Sequence, residues 1–520
     1  MTRIPKVQIS RIRPRKAPVA LAALVALGLG LVAIPSAQAQ TLTIIHSFAG
    51  TPDGETPEAG LIRDEAGNLY GTTAFGGDCN SLPTGCGTVF KFSTSGSETL
   101  LYSFGAYPGD GTTPFAGLIR DRAGNLYGAT LSGGEYGYGT IFKLDASGNE
   151  TLLHSFAGYP TDGAYPWAGL IMDRAGNLYD TTSYGGDGTC QSVPPLGCGT
   201  VFKLGTSGNE KVLYSFAGSP TDAAYPGADL IMDKAGNLYG TTTYGGTGTC
   251  VSATQSGCGT VFKLDTSGNE TVFHYFTGSA GDGAGPSAPL IADRAGNLYG
   301  TTSAGGTFRY GTVFKLDTSG NLIVLHSFNG PPPFDFEGPP SDGMEPDARL
   351  IMEERGNLYG ETFLGGSFNQ GTVFELDTSG NLTVLHSFNP YSHDGAAPAG
   401  GLVMDKAGNF YGISVGGGAQ GVGTVFELIP RSPQQATQTI IDAVNALYSQ
   451  GVLSSGEDNA LVLRLEKAIS LMNAGRDGAA TLSLREFILE VLALQRWGVF
   501  SPSQAAPLIS AAKGVIAQLL

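Results

Sequence analysis

One residue pattern recurs seven times along this 520-residue chain, and the last copy lacks its final part, which stands at the beginning instead. The pattern reads L-I-x-D-x-A-G-N-L-Y-G-T-T-x-x-G-G, then a variable stretch, then G-T-V-F-K-L-D-T-S-G-N-x-x-x-L-H-S-F. Its first part begins at Leu61, Leu118, Leu170, Leu230, Leu290, Leu350 and Leu402. Its second part begins at Gly87, Gly139, Gly199, Gly259, Gly311, Gly371 and Gly423. The run from Gly423 ends at Leu428 with no H-S-F after it, while an orphan T-L-T-I-I-H-S-F occupies Thr41–Phe48. Each copy holds four short stretches rich in β-branched and aromatic residues, separated by turns in which Gly and Asn accept positive φ. Four strands per copy, seven copies and exchanged ends predict an all-β, seven-bladed β-propeller over residues 41–429, with Thr41–Phe48 closing the last blade. Closure has a physical motive, because an open stack would leave two bare sheet edges.

The ends of the chain differ in character from the repeats. Arg3, Lys6, Arg11, Arg13, Arg15 and Lys16 precede an apolar run from Ala17 to Ile34, then Pro35 and the small-residue site Ala37-Gln38-Ala39. This predicts a cleaved signal peptide, residues 1–39, in preference to a retained membrane anchor, so no transmembrane segment is expected after cleavage. Cleavage removes six basic residues and no acidic one, leaving the chain six charge units more negative than its full-length −16. So acidic a protein is a poor partner for nucleic acid or anionic membranes. Six cysteines form three local pairs, Cys79 with Cys86, Cys190 with Cys198 and Cys250 with Cys258, each in the loop between G-G and G-T-V-F. An even number at short, shared spacing without nearby histidine predicts disulfides rather than zinc ligation, and an oxidising compartment. A secreted or cell-surface protein, or a periplasmic one, is expected. After Ile429-Pro430 the periodicity turns helical, with helices expected at 435–448, 457–473, 484–496 and 502–519 as a small all-α bundle over residues 435–520. Ser483 with Glu486 reads as a capping box, and Ser501-Pro502 as an N-cap followed by Pro at the first helical position.

The apolar strand followed by D-x-x-G-N and a second apolar strand resembles NHL-type propellers. That resemblance implies that L-I-x-D is the innermost strand and L-H-S-F the outermost. The wording G-N-L-Y-G-T-T … G-T-V-F is similar to the GloVer tandem repeat of secreted bacterial proteins, over about Thr41–Leu428. The C-terminal segment resembles the FIMAH-type helical module of exported bacterial proteins. The GloVer resemblance brings no defined reaction with it.

Candidate site residues fall into two kinds. A D-G-x-x-P motif precedes each inner strand, supplying Asp53, Asp110, Asp162, Asp222, Asp282, Asp342 and Asp394; Asp222 alone is followed by Ala. Seven carboxylates around one channel mouth could collect cations, calcium among them, or cationic ligands. The architectural reading is preferred, since Asp-Gly starts a turn and a motif present in every blade is scaffold before it is a site. Departures from the repeat are the better clue. Asp180 replaces the Gly that follows Leu-Tyr or Phe-Tyr in the other six copies, and Trp167 stands where the others have Glu58, Phe115, Gly227, Ser287, Asp347 and Ala399. With Tyr165, Tyr184 and Tyr225 they make the third and fourth blades the preferred ligand region. His46, His154, His274, His326 and His386 share one outer-strand position and read as packing rather than catalysis. No G-x-S-x-G, H-E-x-x-H or phosphate-binding Gly loop occurs.

The sequence therefore points to an exported, non-enzymatic, monomeric propeller that binds a carbohydrate, a small molecule or a surface protein, with no cofactor and no catalytic residue assigned. Two alternatives stand beside it. One is a carbohydrate-active or lactone-cleaving enzyme with its site at the channel mouth; the other is a structural component of the envelope or matrix.

Overall fold

The computed structural model describes residues 41–79, 85–190, 196–220, 222–250, 256–330, 341–429 and 432–519. The expected leader, residues 1–39, lies outside them. The first blade consists of Ile62–Arg63, Leu69–Thr73, Thr88–Phe92 and Glu98–Ser103, each antiparallel to the next. Blades two to six repeat this order, giving a seven-bladed propeller in which sequence-adjacent strands pair. The innermost strand is short because a tight turn follows at once. In the first blade Asp64 Oδ1 accepts the Asn68 N–H at 2.8 Å, and Gly67 sits at φ +94°. The outer strand carries a bulge that skips one residue opposite the third strand, as between Val89 and Phe90, in every blade.

The ring closes as the exchanged ends require. Thr41–Ser47 pairs antiparallel with Thr424–Ile429, from Thr41 opposite Ile429 to Ser47 opposite Thr424, and completes the seventh sheet. Packing between blades repeats just as faithfully. The Phe of each H-S-F or Y-S-F segment meets the Phe of the next blade's G-T-V-F segment, at centroid distances of 5.0 to 5.3 Å in six junctions, among them Phe104 with Phe142 and Phe388 with Phe426. The fourth-to-fifth junction, Phe276 with Phe314, has 5.3 Å. The closing contact, Phe48 on Phe90, is 5.3 Å and cannot be told from the others. These rings are almost fully buried, so the apolar core lies between blades rather than within one sheet.

The three disulfides form as expected, with Cα–Cα distances of 5.6, 5.2 and 5.0 Å. Four helices follow the propeller: α1 (Pro433–Ser449), α2 (Ser455–Asn473), α3 (Asp477–Arg496) and α4 (Pro502–Leu519). They share one buried core running from Ala436 to Ile516, with α1 packed on both α2 and α4. The capping box expected at Ser483 does not form. Helix α3 starts seven residues earlier than expected, at Asp477, and Ser483 is buried within it, its Oγ donating to the Arg464 carbonyl at 2.9 Å. Capping boxes stand instead at Ser432 with Gln435 and Ser454 with Glu457. Ser501 caps α4 as expected, accepting from Gln504 N at 3.3 Å. Among the described residues no helix is long and apolar enough to cross a membrane.

Candidate functional site

The seven inner strands and the residues just before them surround a cavity of about 1050 Å³ on the propeller axis. Two columns of the repeat supply its polar and aromatic wall. The first column reads Glu58, Phe115, Trp167, Gly227, Ser287, Asp347 and Ala399 around the ring; the second, two residues later, reads Gly60, Gly117, Gly169, Asp229, Pro289, Arg349 and Gly401. Scaffold positions repeat because every blade must make the same contacts. The first column differs in every blade; the second is Gly in four, and Asp229, Pro289 and Arg349 break it.

On one side Phe115 and Trp167 stack, with ring centroids 4.9 Å apart and planes 18° apart. Trp167 keeps 46% of its surface exposed, and the pair forms an aromatic platform facing the cavity. Tyr184, Tyr225 and Tyr244 continue this wall in an edge-to-face chain, Tyr184 on Tyr225 at 5.2 Å and Tyr225 on Tyr244 at 5.9 Å. Tyr165, the remaining tyrosine expected here, packs edge-on against Tyr138 and Tyr184.

Charge occupies the rest. Asp229 from the fourth blade pairs with Arg349 from the sixth, and its Oδ1 accepts the Gly169 N–H of the third at 2.6 Å. Ser287 Oγ donates to Asp347 Oδ1 at 2.6 Å. Asp347 is open to the cavity on one side yet crowded by protein around it; that crowding lifts its carboxyl to about 6, against the Ser287 hydrogen bond. Burial likewise pushes Glu58 up to about 7. Two further carboxyls lie fully buried in single blades. Asp180 is held well above the usual range by burial, with the Asp229 charge adding to it and the Thr181 N–H giving only weak compensation; neither carboxyl oxygen has a well-formed hydrogen bond. Glu361 stands where Thr72 and Thr241 reach the next blade's carbonyls, and is raised by burial while its Oε2 accepts the Gly401 N–H at 3.1 Å.

The aspartate ring does not gather at the channel. Each of its members accepts a hydrogen bond at the outer strand that precedes it: His46 Nε2 lies 3.0 Å from Asp53, and Tyr102 donates to Asp110 at 2.9 Å. Asp162, Asp222, Asp282, Asp342 and Asp394 are held in the same way by His154, Tyr214, His274, His326 and His386, at 2.9 to 3.3 Å. Backbone N–H groups complete each site, as Ala106 N does for Asp110 at 2.9 Å. A carboxylate so placed ties the outer strand to the connection that leaves it, which is why the motif recurs. Trp167 lines the cavity and Asp180 lies buried behind its wall, so the structure brings the two departures to one region. Asp229, Arg349 and Glu361 escape the sequence reading. Their signal is present in the Gly column and in the first Thr of G-T-T, where each breaks the repeat.

A family model described as the Gloeobacter/Verrucomicrobia repeat matches residues 28–253, 188–338 and 333–463. The chain belongs to this repeat family. No curated protein matches it. Among solved structures, this member of the Gloeobacter/Verrucomicrobia repeat family is similar to a PL25 ulvan lyase at 10% identity and TM-score 0.43, covering 77% of this chain and 99% of that one. A candidate 6-phosphogluconolactonase from Bacteroides uniformis aligns at 14% identity and TM-score 0.40, over 68% and 89% of the two chains. A luciferin-regenerating enzyme follows at 12% and 0.37, over 75% and 95%. At such scores these likenesses carry no argument about substrate or reaction.

Proposed function

We propose that this repeat protein is exported and binds a hydroxyl-rich ligand of the carbohydrate class in its axial cavity. The sugar face stacks on the Phe115–Trp167 platform, and its hydroxyls meet Glu58, Asp347, Ser287 and the Asp229–Arg349 pair. One observation carries the reading: the residues that break the sevenfold repeat converge on one cavity, pairing a flat aromatic surface with closely placed hydrogen-bonding groups. A cavity with an apolar wall and few, fixed polar groups is what small-ligand recognition needs. The three disulfides and the basic-apolar leader support export. The chain holds two tryptophans, Trp167 and Trp497, so quenching of Trp167 fluorescence in a Trp497→Phe background reports occupancy directly. A glycan that quenches it, and whose binding weakens about tenfold or more in Trp167→Ala, supports the reading; binding unchanged by Trp167→Ala overturns it.

One observation favours a second reading, a sugar- or lactone-cleaving enzyme. Glu58, at about 7, holds its proton in the range that general-acid chemistry uses. Product release from a bound glycan or lactone, abolished in Glu58→Gln, would displace the binding reading in favour of that one.

A further inference from the structure

We propose that two of the seven blade junctions are zinc-class metal sites. His46, Asp53 and Glu98 hold one ion between the seventh and first blades; His154, Asp162 and Glu210 hold another between the second and third. This assignment is independent of the channel and its ligand.

Every junction brings three positions together at the rim. One blade supplies the outer-strand residue that bonds the ring aspartate, its connection supplies that aspartate, and the next blade supplies the residue opposite the end of its third strand. The first position is His in five junctions and Tyr, at Tyr102 and Tyr214, in two. The third position is Glu98, Glu150, Glu210 or Glu270 in four junctions and Leu322, Leu382 or Leu42 in three. Histidine and glutamate coincide at two junctions alone. There the three donor atoms lie within 4.8 Å of one another.

The measured spacings are compatible with donors that share one ion as well as with the hydrogen bonds they make without it. His46 Nε2 lies 3.0 Å from Asp53 Oδ2 and 3.4 Å from Glu98 Oε2, and His154 Nε2 lies 3.2 Å from Asp162 Oδ2. Metal–ligand bonds of about 2.1 Å place neighbouring donors about 3.0 to 3.4 Å apart in octahedral or tetrahedral geometry. Around the donors the protein supplies orienting contacts. Ala49 N donates to Asp53 at 2.9 Å, Ala157 N donates to Asp162 at 2.7 Å, and each imidazole packs edge-on against its own Phe48 or Phe156 at 4.8 and 4.7 Å. At the second junction Glu210 Oε1 is buried with no hydrogen-bond partner, an uncompensated acceptor that a cation would satisfy. His46, Asp53 and Glu98 keep 22%, 20% and 24% exposure, which leaves room for water to complete the shell. One imidazole with two carboxylates suits zinc; calcium takes six to eight oxygens and has too few here. The first ion would bind His46, on the closing strand, to Glu98 on the first blade, fastening the seam of the ring.

Calorimetric titration of the EDTA-treated full chain with zinc chloride tests this. Two ions per chain are expected in the wild type, one in Glu98→Gln, one in Glu210→Gln and none in the double variant. Each substitution removes a ligating carboxylate and should weaken its own site by about a hundredfold or more, enough to take it out of the titration. Glu150→Gln, at a junction with Tyr in place of His, should still take up two. Zinc should also raise the thermal midpoint of the wild type and leave that of the double variant unmoved, while the metal-free midpoints of the two stay alike. A wild-type chain that binds no zinc, or a stoichiometry unaltered by the double substitution, overturns the proposal.

Discussion

The layer between blades and the wall of the axial channel are built from the same seven repeats, yet they follow opposite rules. Between blades, seven Phe–Phe contacts agree to within 0.3 Å, and the junction made by the chain ends matches those made by continuous chain. Along the channel, seven equivalent positions carry seven different residues, from Gly227 to Trp167. Burial explains the first: each phenyl is fully enclosed, so any change leaves a void or a clash. Freedom from packing explains the second. What the scaffold leaves unconstrained is where a ligand-specific residue costs least, which supports the proposed channel site without reference to any relative.

The comparison can be broken most forcefully at the seam. Deleting Thr41–Phe48 removes a whole strand and Phe48 together, exposing the edge of Thr424–Ile429 and half of one inter-blade core. The expected result is a chain that does not form the ring, or one whose thermal midpoint falls by about 10 °C or more. An unchanged midpoint would mean that the ends do not close it. Next comes Phe48→Ala against Phe216→Ala. If all junctions are equivalent, both lose about 3 to 5 kcal/mol by denaturant unfolding, and a much smaller loss at Phe48 would show that the seam bears less load than the rest.

The contrast between the two regions also decides how much could be read beforehand. Blade number, strand order, closure and disulfide pairing were legible because they rest on residues that recur, and recurrence is visible in one chain. Trp167 and Asp180 were legible as departures, although the cavity that Trp167 lines and the burial of Asp180 were not. The aspartate ring was legible as architecture but not in its radius: only the bond from Tyr102 or His154 shows that Asp110 and Asp162 belong to the rim rather than the channel mouth. Asp229 and Arg349 remained hidden since their partnership joins the fourth and sixth blades, a distance no local pattern encodes. Helix α3 began early because Ser483 donates to a neighbouring helix's carbonyl, a tertiary demand that overrides a local capping signal.

A smaller effect on stability is expected from two carboxyls inside the packed shell. Asp180 and Glu361 break the repeat inside the packed shell, where the other blades have Gly and Thr or their equivalents. Restoring the pattern with Asp180→Gly and Glu361→Thr should stabilise the fold by about 1 to 3 kcal/mol, by removing buried, poorly compensated carboxyls. The pH dependence follows from the direction of the shifts. Both groups are raised in the folded chain, so it binds more protons than the unfolded chain above the ordinary carboxyl range. The penalty for ionising them in the folded chain is therefore absent below about pH 4, where both are protonated, and grows as pH rises toward the folded values. Thermal melts should show a wild type that weakens from pH 5 to 8 more steeply than the double variant, with Glu58 and Glu270 contributing alike to both. Parallel curves would show that these two carboxyls do not carry the dependence.

The smallest expected effect on stability is at Trp167, and that is what makes it decisive. Its ring is nearly half exposed and stacks on Phe115, so Trp167→Ala should cost no more than about 1 kcal/mol in unfolding, the scale of one stacked pair. A scaffold residue and a recognition residue separate here in a way no core variant allows. If the channel column is free of architectural duty, stability stays near the wild type while ligand affinity falls about tenfold or more. If unfolding free energy drops by 3 kcal/mol or more instead, in the manner of a buried phenylalanine, then Trp167 belongs with the packing layer, and variability along the channel ceases to mark a site.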